Sequence, residues 1–500
     1  MSHSFDVIIV GAGPTGVVLA ALLGQAGVRT LVSDRADGIY PLPRAAHIDH
    51  ETVRVFQQAG VADAVMGASR PVAQYDFLTA DRQVLMRFLT RGSPSGWPAA
   101  NMIHQPTVEA AVRDRLRTLD SVDLRSSWEL LDYATGEAGV VARFQTPDGE
   151  RSVRGRYLVG ADGASSRVRQ LSGTDVEDLE FDEPWLVIDT LVLDPARLPD
   201  INLQICDPDR PTTCVVMGSG RHRWEFMLRP DERPEQVLDD AFIATLLKPW
   251  NVEGAVRLER KAVYRFHALI ARQWRFGPVF LAGDAAHQMP PFAGQGMCAG
   301  VRDAANLAWK LAAVLTEEAD DDLLDSYQVE RQPHVRSIIE LALMMGRTVC
   351  ILDAAAAAQR DVALLAQRAA APPDAVGEGL AFPPLGGPAF LCGTPAAGEV
   401  FIQPWSSGRR WDDQAGDGPW LITTEAVDRA PGLCVFHLAD PAVGEFAAAF
   451  RTWLERRGAA SVLVRPDRYV FGAGHADELI PAWEKALRST QGQRVGSPDS

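Results

Sequence analysis

The chain has 500 residues, 47% of them apolar and 23% charged, with a formal net charge of −16 at pH 7. That length exceeds what one small core organises, so two or three domains are expected, and the acidic balance excludes nucleic acid and anionic membrane as partners. No apolar run reaches the roughly 20 residues of a membrane span, the start lacks a signal-type pattern, and the six cysteines show no CxxC or metal-ligand spacing, so a cytoplasmic, reduced, metal-free protein is expected.

The first element is the gapless apolar run Phe5–Val10, which reads as a buried parallel strand. The sequence Gly11-Ala12-Gly13-Pro14-Thr15-Gly16 follows and then an apolar helix, so backbone N–H groups and a helix N-terminus point at a phosphate. A second apolar run, Thr30–Ser33, ends at Asp34 and Arg35, where a carboxylate would accept hydrogen bonds from an adenosine ribose. A bare GxGxxG is weak evidence; in this strand–turn–helix–strand–acid setting it signals dinucleotide binding.

Beyond a loop at 38–43 lies Arg44-Ala45-Ala46-His47-Ile48-Asp49-His50, with a helix expected from Asp49 to Ala59. Residues 71–88 alternate like sheet, Gln105-Pro106 opens a helix, and residues 122–158 suggest an antiparallel meander. The short buried strand ending at Gly160 runs into Asp162-Gly163 and Arg167. Residues 181–268 read as strands again, which suggests a sheet domain inserted within the nucleotide domain. The chain then returns with Val279-Phe280-Leu281-Ala282-Gly283-Asp284, a Pro/Gly-rich turn at 290–300, and a helix expected over 299–315. An Ala-rich helix at 354–371, read as a spacer, precedes a linker marked by Pro372-Pro373 and Pro383-Pro384. From about 395 a small α/β unit is expected, with strands near 420, 433 and 461 and helices near 442–456 and 475–488.

Four separated signals coincide: the Gly11–Gly16 unit, Arg44, Asp162-Gly163 with Arg167, and Gly283-Asp284 with its sequel. Together they resemble the group A FAD-dependent aromatic hydroxylases, the p-hydroxybenzoate hydroxylase-like family. Within it the likeness is closest to 3-(3-hydroxyphenyl)propionate hydroxylases, carried by Tyr40–Glu51, Arg223–Leu228 and Gly294–Gly300. The implied fold is α/β: a discontinuous Rossmann-like FAD domain (1–70, 98–180, 269–345), an inserted β-sheet substrate domain (71–97, 181–268), a helical linker (346–394), and a C-terminal thioredoxin-like α/β domain (395–490). That last domain lacks a paired cysteine at Cys434 and is expected to be redox-inert, suited to packing or to a homodimer contact.

The resemblance also implies roles. Gly11, Gly13 and Gly16 would hold the FAD pyrophosphate, Asp34 and its neighbour Arg35 the adenosine end, Arg44 the pyrophosphate and flavin, and Gln105 the ribityl–flavin region. Asp162-Gly163 would sit where FAD and a transient NADH or NADPH pass, and Asp284 would bond the ribityl or pyrophosphate end. The backbone of Gly296-Met297-Cys298 would face the flavin N1–C2 carbonyl edge, where reduced flavin carries negative charge that a helix start can stabilise. Several relatives have asparagine where this chain has Cys298. The implied reaction adds molecular oxygen to the flavin and transfers one atom to a small aromatic substrate, which reacts best as a phenolate, so a base near the phenol is expected.

For substrate and proton transfer the candidates are His47, His50, His222 and His267, with Met217, Trp224, Phe226, Pro291 and Phe292 lining the pocket. Each has a blander reading. His47 and His50 could serve the helix start, and His287 packing or a supporting hydrogen bond. Trp224 and Phe226 share one strand face and Arg223 and Glu225 the other, so either face could be ordinary core. Arg167 could be cofactor-side or a structural ion pair. A tailoring oxygenase acting on a polycyclic polyketide or antibiotic is the alternative substrate class. A flavin-binding interaction protein without turnover is the alternative from a different functional class, and no Trp-x-Trp-x-Ile-Pro stretch suggests a halogenase.

Overall fold

The computed structural model describes residues 4–41, 43–370, 377–378 and 382–488. The opening run forms the strand Ser4–Val10, apolar and buried from Val7 onward, with parallel partners on both sides. Its sheet runs in the order Arg275–Phe276, Val279–Leu281, Gly149–Gly160, Ser4–Val10, Thr30–Asp34, Val122–Ser126, and is parallel from Val279–Leu281 onward. Gly149–Gly160 is long enough for two tasks. Its first half pairs antiparallel with Gly139–Thr146, giving the expected meander, and its second half enters the parallel sheet.

This order explains why four distant motifs matter together. Gly11–Gly16, Asp34, Asp162-Gly163 and Gly283-Asp284 each follow the C-terminal end of one of four adjacent parallel strands, so all four turns emerge along one sheet edge. The helices Pro14–Gln25 and Gly296–Leu315 pack together behind that edge. Gly300 permits the approach, since a Cβ there would stand 2.3 Å from Thr15 Oγ1. The second helix begins three residues earlier than the alanine stripe suggested and is buried over most of its length, not on one stripe alone.

The chain leaves this unit and returns to it, forming a second sheet in the order His287–Gln288, Val256–Ala271, Val176–Val192, Arg221–Met227, Thr212–Val216, Asn202–Ile205, Gln74–Leu78, Val84–Leu89, Gly377–Glu378. The helices Pro234–Val237 and Asp240–Leu247, not anticipated within the strand-rich stretch, cover one face and bury Leu186, Ile188, Cys214, Trp224 and Phe226 against Val237 and Ile243. The opposite face looks toward the first sheet's turn-bearing edge.

The Ala354–Ala370 helix is more than a spacer. It lies on the second sheet, with Arg360 donating to the Cys206 carbonyl at 2.6 Å and Arg368 to that of Val84 at 3.1 Å. The Pro372-Pro373 linker marker and Leu42 lie outside the described residues. The C-terminal unit has a mixed sheet, Cys434–His437, Trp420–Thr423, Ser461–Val464, Val470–Gly474, whose first pair is parallel and whose other pairs are antiparallel. The sequence reading lacked its fourth strand. This unit docks through buried ion pairs, Arg54 to Asp412 at 2.8 Å and Arg465 to Glu330 at 2.9 Å, and through Trp309 stacked on Trp483 at 5.9 Å. Such pairs hold register, because removing one partner strands a buried charge. All six cysteines are free, and among the described residues no cluster suits a metal ion and no helix is long and apolar enough to cross a membrane.

Candidate active site

The glycine turn divides its three glycines between two tasks. Gly11 has φ +106°, and a Cβ there would lie 2.3 Å from the Ala161 carbonyl; a Cβ on Gly16 would lie 2.0 Å from that of Gly11. These two let backbone pack on backbone. Gly13 instead faces open space, with nothing within 4 Å of where a Cβ would be. The helix beginning at Pro14 has no side-chain cap and no acid in its first turn, so its free N–H groups and positive end suit an anion. Asp34 is held beside the turn, accepting from Ala12 N at 2.7 Å and Ala36 N at 2.9 Å, with lone pairs left for ribose hydroxyls. Arg35 is exposed next to it.

One face of the Gln105–Leu116 helix organises the same region. Gln105 Oε1 accepts from Arg44 N at 3.1 Å and Ala45 N at 2.8 Å, its amide donates to Glu109 at 2.8 Å, and Arg113, two turns on, donates to the Ala12 carbonyl at 2.8 Å. Gln105 therefore shapes the 44–45 loop with its side chain, its carbonyl oxygen taken twice by the chain. Glu109 and Arg113 were missed, although their i, i+4, i+8 spacing from Gln105 is visible in the sequence. Arg44 itself is exposed, its guanidinium 5.1 Å from the Tyr40 ring.

At the other end, Asp162 is turned into the protein. Its carboxylate accepts from Arg167 N at 2.6 Å, Val168 N at 3.1 Å and the Ser166 hydroxyl, capping the Arg167–Ser172 helix. Its side chain is a cap, so what the 162–163 turn offers a cofactor is its backbone; Gly163, at φ +80°, makes the turn. Arg167 donates to the Leu131 carbonyl at 3.0 Å and so joins the meander, forming no ion pair among the described residues. The overlooked residue is Arg169, whose guanidinium donates to Ala285 O at 2.8 Å, to Asp284 O at 3.3 Å and to Ala164 O, tying the 162–164 turn to the 283–285 turn.

Asp284 contrasts with Asp162. No described group hydrogen-bonds its carboxylate, which opens to the cleft yet is enclosed by protein on the remaining sides. That enclosure raises its carboxyl above the usual range, although His287, Arg44 and Arg169 pull the other way. Gly283 is fixed behind it: its N–H donates to Asp303 at 3.0 Å, which also bonds His287 Nε2 at 2.6 Å and Arg331 at 2.9 Å. His287 thus supports the turn from inside.

The elements expected at the flavin edge are locked to each other. The Gly296–Leu315 helix starts with Gln295 as an uncapped N-cap, leaving the N–H groups of Gly296, Met297 and Cys298 free of side-chain partners. Cys298 is fully buried with Sγ 3.8 Å from the His47 carbonyl, so its side chain points away from the cleft. His47 Nδ1 bonds the Gly294 carbonyl at 3.1 Å. A carbonyl only accepts, so Nδ1 carries the proton and Nε2 is an acceptor; burial keeps the ring's pKa below its ordinary value.

The second sheet supplies the facing wall, and here several expectations are corrected. Trp224, Phe226 and His222 point to the outer face, where the unanticipated helices cover them. His222 lies on Trp224 with ring centroids 4.5 Å apart, and burial pushes it down to about 4, a packed core residue. His267, also outward, sits on the surface 3.7 Å from Asp182. His50 Nδ1 bonds Ser95 Oγ at 2.7 Å, toward the C-terminal unit. Met217 is buried beside a surface recess it shares with Ala68, Arg70 and Arg221, away from the aromatic end of the sheet. What faces the cleft is the polar side: Asp189 bonded to Arg223 at 2.6 Å and to Arg260 at 3.1 Å, both arginines holding the Pro43 carbonyl, with Glu225 and then Trp185 further along. Pro291 begins the short turn that carries Phe292, and Phe292 meets Trp185 and Phe181 edge-on at 5.7 and 5.8 Å, closing one end.

A cleft with an anion-seeking helix start and ribose-accepting carboxylate at one end, and a second free helix start with an unpartnered carboxylate at the other, defines a dinucleotide flavoprotein whose donor set fits FAD. Residues 4–342 match the family model for the FAD binding domain, and residues 429–489 match that of the HcaD C-terminal domain. The chain belongs to the FAD-binding-domain family of flavoprotein hydroxylases. It is 37% identical to the probable NADH-specific resorcinol 4-hydroxylase of Rhodococcus jostii (strain RHA1), covering 95% of each chain. It is 34% identical to a 3-(3-hydroxy-phenyl)propionate/3-hydroxycinnamic acid hydroxylase of Mycolicibacterium smegmatis (strain ATCC 700084 / mc(2)155), covering 98% of this chain and 95% of that one. Among solved structures, aklavinone-11 hydroxylase in a ternary complex with FAD and aklavinone aligns with a TM-score of 0.78 at 26% identity, covering 97% of this chain and 100% of that one.

Proposed function

We propose that the protein is an FAD- and NADH-dependent monooxygenase that hydroxylates the ring of a monocyclic phenol, of the resorcinol or 3-hydroxyphenylpropionate type. FAD, held there and reduced by the nicotinamide, would activate molecular oxygen, of which one atom enters the ring and the other leaves as water. The chain's own residues do the rest. Gly13 and the Pro14 helix start seat the pyrophosphate, Asp34 the ribose, and Asp284 the ribityl side. The free N–H groups at Gly296–Cys298 hold the developing negative charge of the flavin edge. Phe292 against Trp185 closes the reacting end with apolar rings, and the relatives named for resorcinol and 3-hydroxyphenylpropionate favour a monocyclic phenol over a polycyclic one.

The observation that carries this reading is the opposition of the two walls, the helix start at Gly296 on one side and the sheet face of Arg223, Glu225 and Trp185 on the other. The reductant is drawn from the cytoplasmic pool. The test is NADH and NADPH oxidation by the FAD-loaded protein over resorcinol, 3-hydroxyphenylpropionate, 3-hydroxycinnamate, 4-hydroxybenzoate and a polycyclic phenol, with product mass and peroxide measured together. A product heavier by one oxygen from a monocyclic phenol is expected. Oxidation yielding only peroxide, or product only from the polycyclic phenol, overturns the reading.

A further inference from the structure

The cleft-facing side of the second sheet holds three polar groups that burial should have forced into hydrogen bonds. Glu225 is 7% exposed, yet its carboxylate has only one long polar contact among the described residues. Its nearest cation, Arg223 Nη1, stands at 3.6 Å, and that nitrogen already donates to the Arg44 carbonyl at 2.8 Å. Arg260 uses Nη1 on Pro43 and Asp189, while its Nε and Nη2 are buried and unpartnered. Trp185 Nε1 is likewise unpartnered. Buried groups of this kind are rare because each costs the full desolvation of its lone pair or proton. Three on one face of one sheet, beside the wall that binds the flavin, mark where a polar ligand belongs.

The register shows how they meet. Arg223, Asp189 and Arg260 stand in one row across three strands; Glu225, Val187 and Ala262 form the next, and Met227, Trp185 and Tyr264 the third. The Arg260 guanidinium lies 4.9 Å from the Tyr264 ring, so the side chain runs along its strand past Ala262 and into the level of Glu225. Ala262 and Val187 are too small to fill the space between carboxylate and guanidinium. The third row, with Phe292 on Trp185, offers an aromatic floor. A phenol ring on that floor points its hydroxyl at the second row.

We propose that Glu225 takes the proton of the substrate's phenolic hydroxyl and that Arg260 receives the phenolate oxygen left behind. The proposal rests on the hydroxylase reading above. The O–H bond breaks with its electron pair left on the phenol oxygen, Glu225 becomes a carboxylic acid, and the proton is handed back to the product or to water before the next turnover. The ring, now electron-rich, is the better nucleophile toward activated oxygen. Trp185 Nε1 is placed to hold a second oxygen on the ring.

The electrostatics suit the task. Burial raises the Glu225 carboxyl above its ordinary range; Arg223 on its own strand and Arg260 two strands away draw it back, and Asp189 adds to the rise. Tyr75, three strands along the same sheet, has its own hydroxyl raised by burial and by Glu225, so it stays a neutral phenol that donates to Gln204 at 3.2 Å. A carboxylate lifted toward the phenol range, about 10 for an unperturbed phenol, is a better matched base than one at the usual position.

The test uses the FAD-loaded enzyme with resorcinol and 3-hydroxyphenylpropionate as probes. Glu225→Gln should keep its FAD and its melting temperature but lose coupled hydroxylation at pH 7 by about 100-fold, in the usual range for removing a general base, and regain it as pH climbs toward the phenol's own ionisation. The ultraviolet band of bound phenolate should appear in wild type below the pH at which the free phenol ionises and vanish in Glu225→Gln. Glu225→Asp, which keeps a carboxylate and guards against misfolding of the first variant, should retain the phenolate band with a lower rate. Arg260→Lys should keep a cation while raising the pH at which the band appears. An unchanged phenolate band and unchanged coupled rate in Glu225→Gln, or equal activity in Gln and Asp variants, overturns the assignment. Failure of wild type on every phenol overturns the hydroxylase reading instead.

Discussion

His47 donates from Nδ1 to the Gly294 carbonyl at 3.1 Å, joining the loop after Arg44 to the turn that begins the Gly296 helix. The two segments lie far apart in sequence, and this bond keeps both walls of the flavin edge in one geometry. His47→Phe should leave the carbonyl unpaired and lower FAD affinity by about 10-fold, the effect of one net hydrogen bond. His47→Asn, which can place a donor near the Nδ1 position, should retain most of it. Because burial holds the ring neutral, neither variant should remove an inflection near the ordinary histidine range from the rate profile. FAD titration by flavin fluorescence and a pH–rate series check both points.

Asp284 offers a sharper separation of cofactor binding from stability. The Asp284 carboxylate is exposed in the open cleft and has no hydrogen-bond partner among the described residues, so Asp284→Asn should leave the stability of the cofactor-free protein unchanged while weakening FAD binding by about 10-fold or more. A structural carboxylate such as Asp162, bonded to two N–H groups and a hydroxyl, should do the reverse: Asp162→Ala should lower the melting temperature through loss of a cap, about 1 kcal/mol. Differential scanning calorimetry with and without FAD distinguishes the pair.

Arg169 holds three carbonyls on two turns with one planar fork. Lysine has the charge but lacks the fork. Arg169→Lys and Arg169→Met should therefore weaken FAD binding to a similar degree, about 10-fold, if geometry rather than charge sets the turn spacing; a fully functional Lys variant would show that charge alone suffices. Isothermal titration with FAD reads the difference.

These residues also show what the sequence could reveal. The cofactor turns were legible because each follows a short apolar strand, and a parallel sheet brings strand ends to one edge whatever the separation in the chain. The Gln105, Glu109, Arg113 face was legible in principle, since spacing by four defines one side of a helix. The wall facing the cleft was not. Alternation along Arg221–Met227 gives two faces, and only the later helices at Pro234–Val237 and Asp240–Leu247 decide that the aromatic one is covered and the charged one faces the cleft. Aromatic residues suggested an aromatic pocket, whereas burial by a separate element had already claimed Trp224 and Phe226. Arg169 gave no signal, because its partners are backbone carbonyls on turns distant in sequence.

The outward placement of His222 has a consequence for acid stability. The ring is held at about 4 in the folded chain and returns to about 6.5 on unfolding, so the unfolded state takes up a proton that the native state refuses. The contribution is fully present above pH 6.5 and is lost as pH falls through the window down to about 4, amounting to about 3 kcal/mol across it. His222→Leu should flatten that part of the stability–pH curve relative to wild type, and it should leave KM for the phenol unaltered because the ring is on the covered face. Urea melts at pH 7 and pH 5 with both proteins supply the comparison.

Gly13 and Gly16 give the most direct test of which glycines touch chain and which touch cofactor. A methyl on Gly16 would be forced to 2.0 Å from the Gly11 carbonyl oxygen, a backbone atom with no room to retreat. Gly16→Ala should destabilise the cofactor-free protein by about 2 kcal/mol or more, within the range for overpacking a core. Gly13 has φ −75° and ψ −178°, which alanine adopts without strain, and nothing within 4 Å of its added Cβ. Gly13→Ala should therefore melt at the wild-type temperature without FAD, or slightly above it, because alanine restricts the unfolded chain. The same methyl would stand where the pyrophosphate approaches the helix start, so FAD affinity should fall by about 10-fold or more. Equal FAD affinity in Gly13→Ala would place the phosphates elsewhere along the turn, whereas loss of affinity without loss of stability assigns the open face of this glycine to the cofactor.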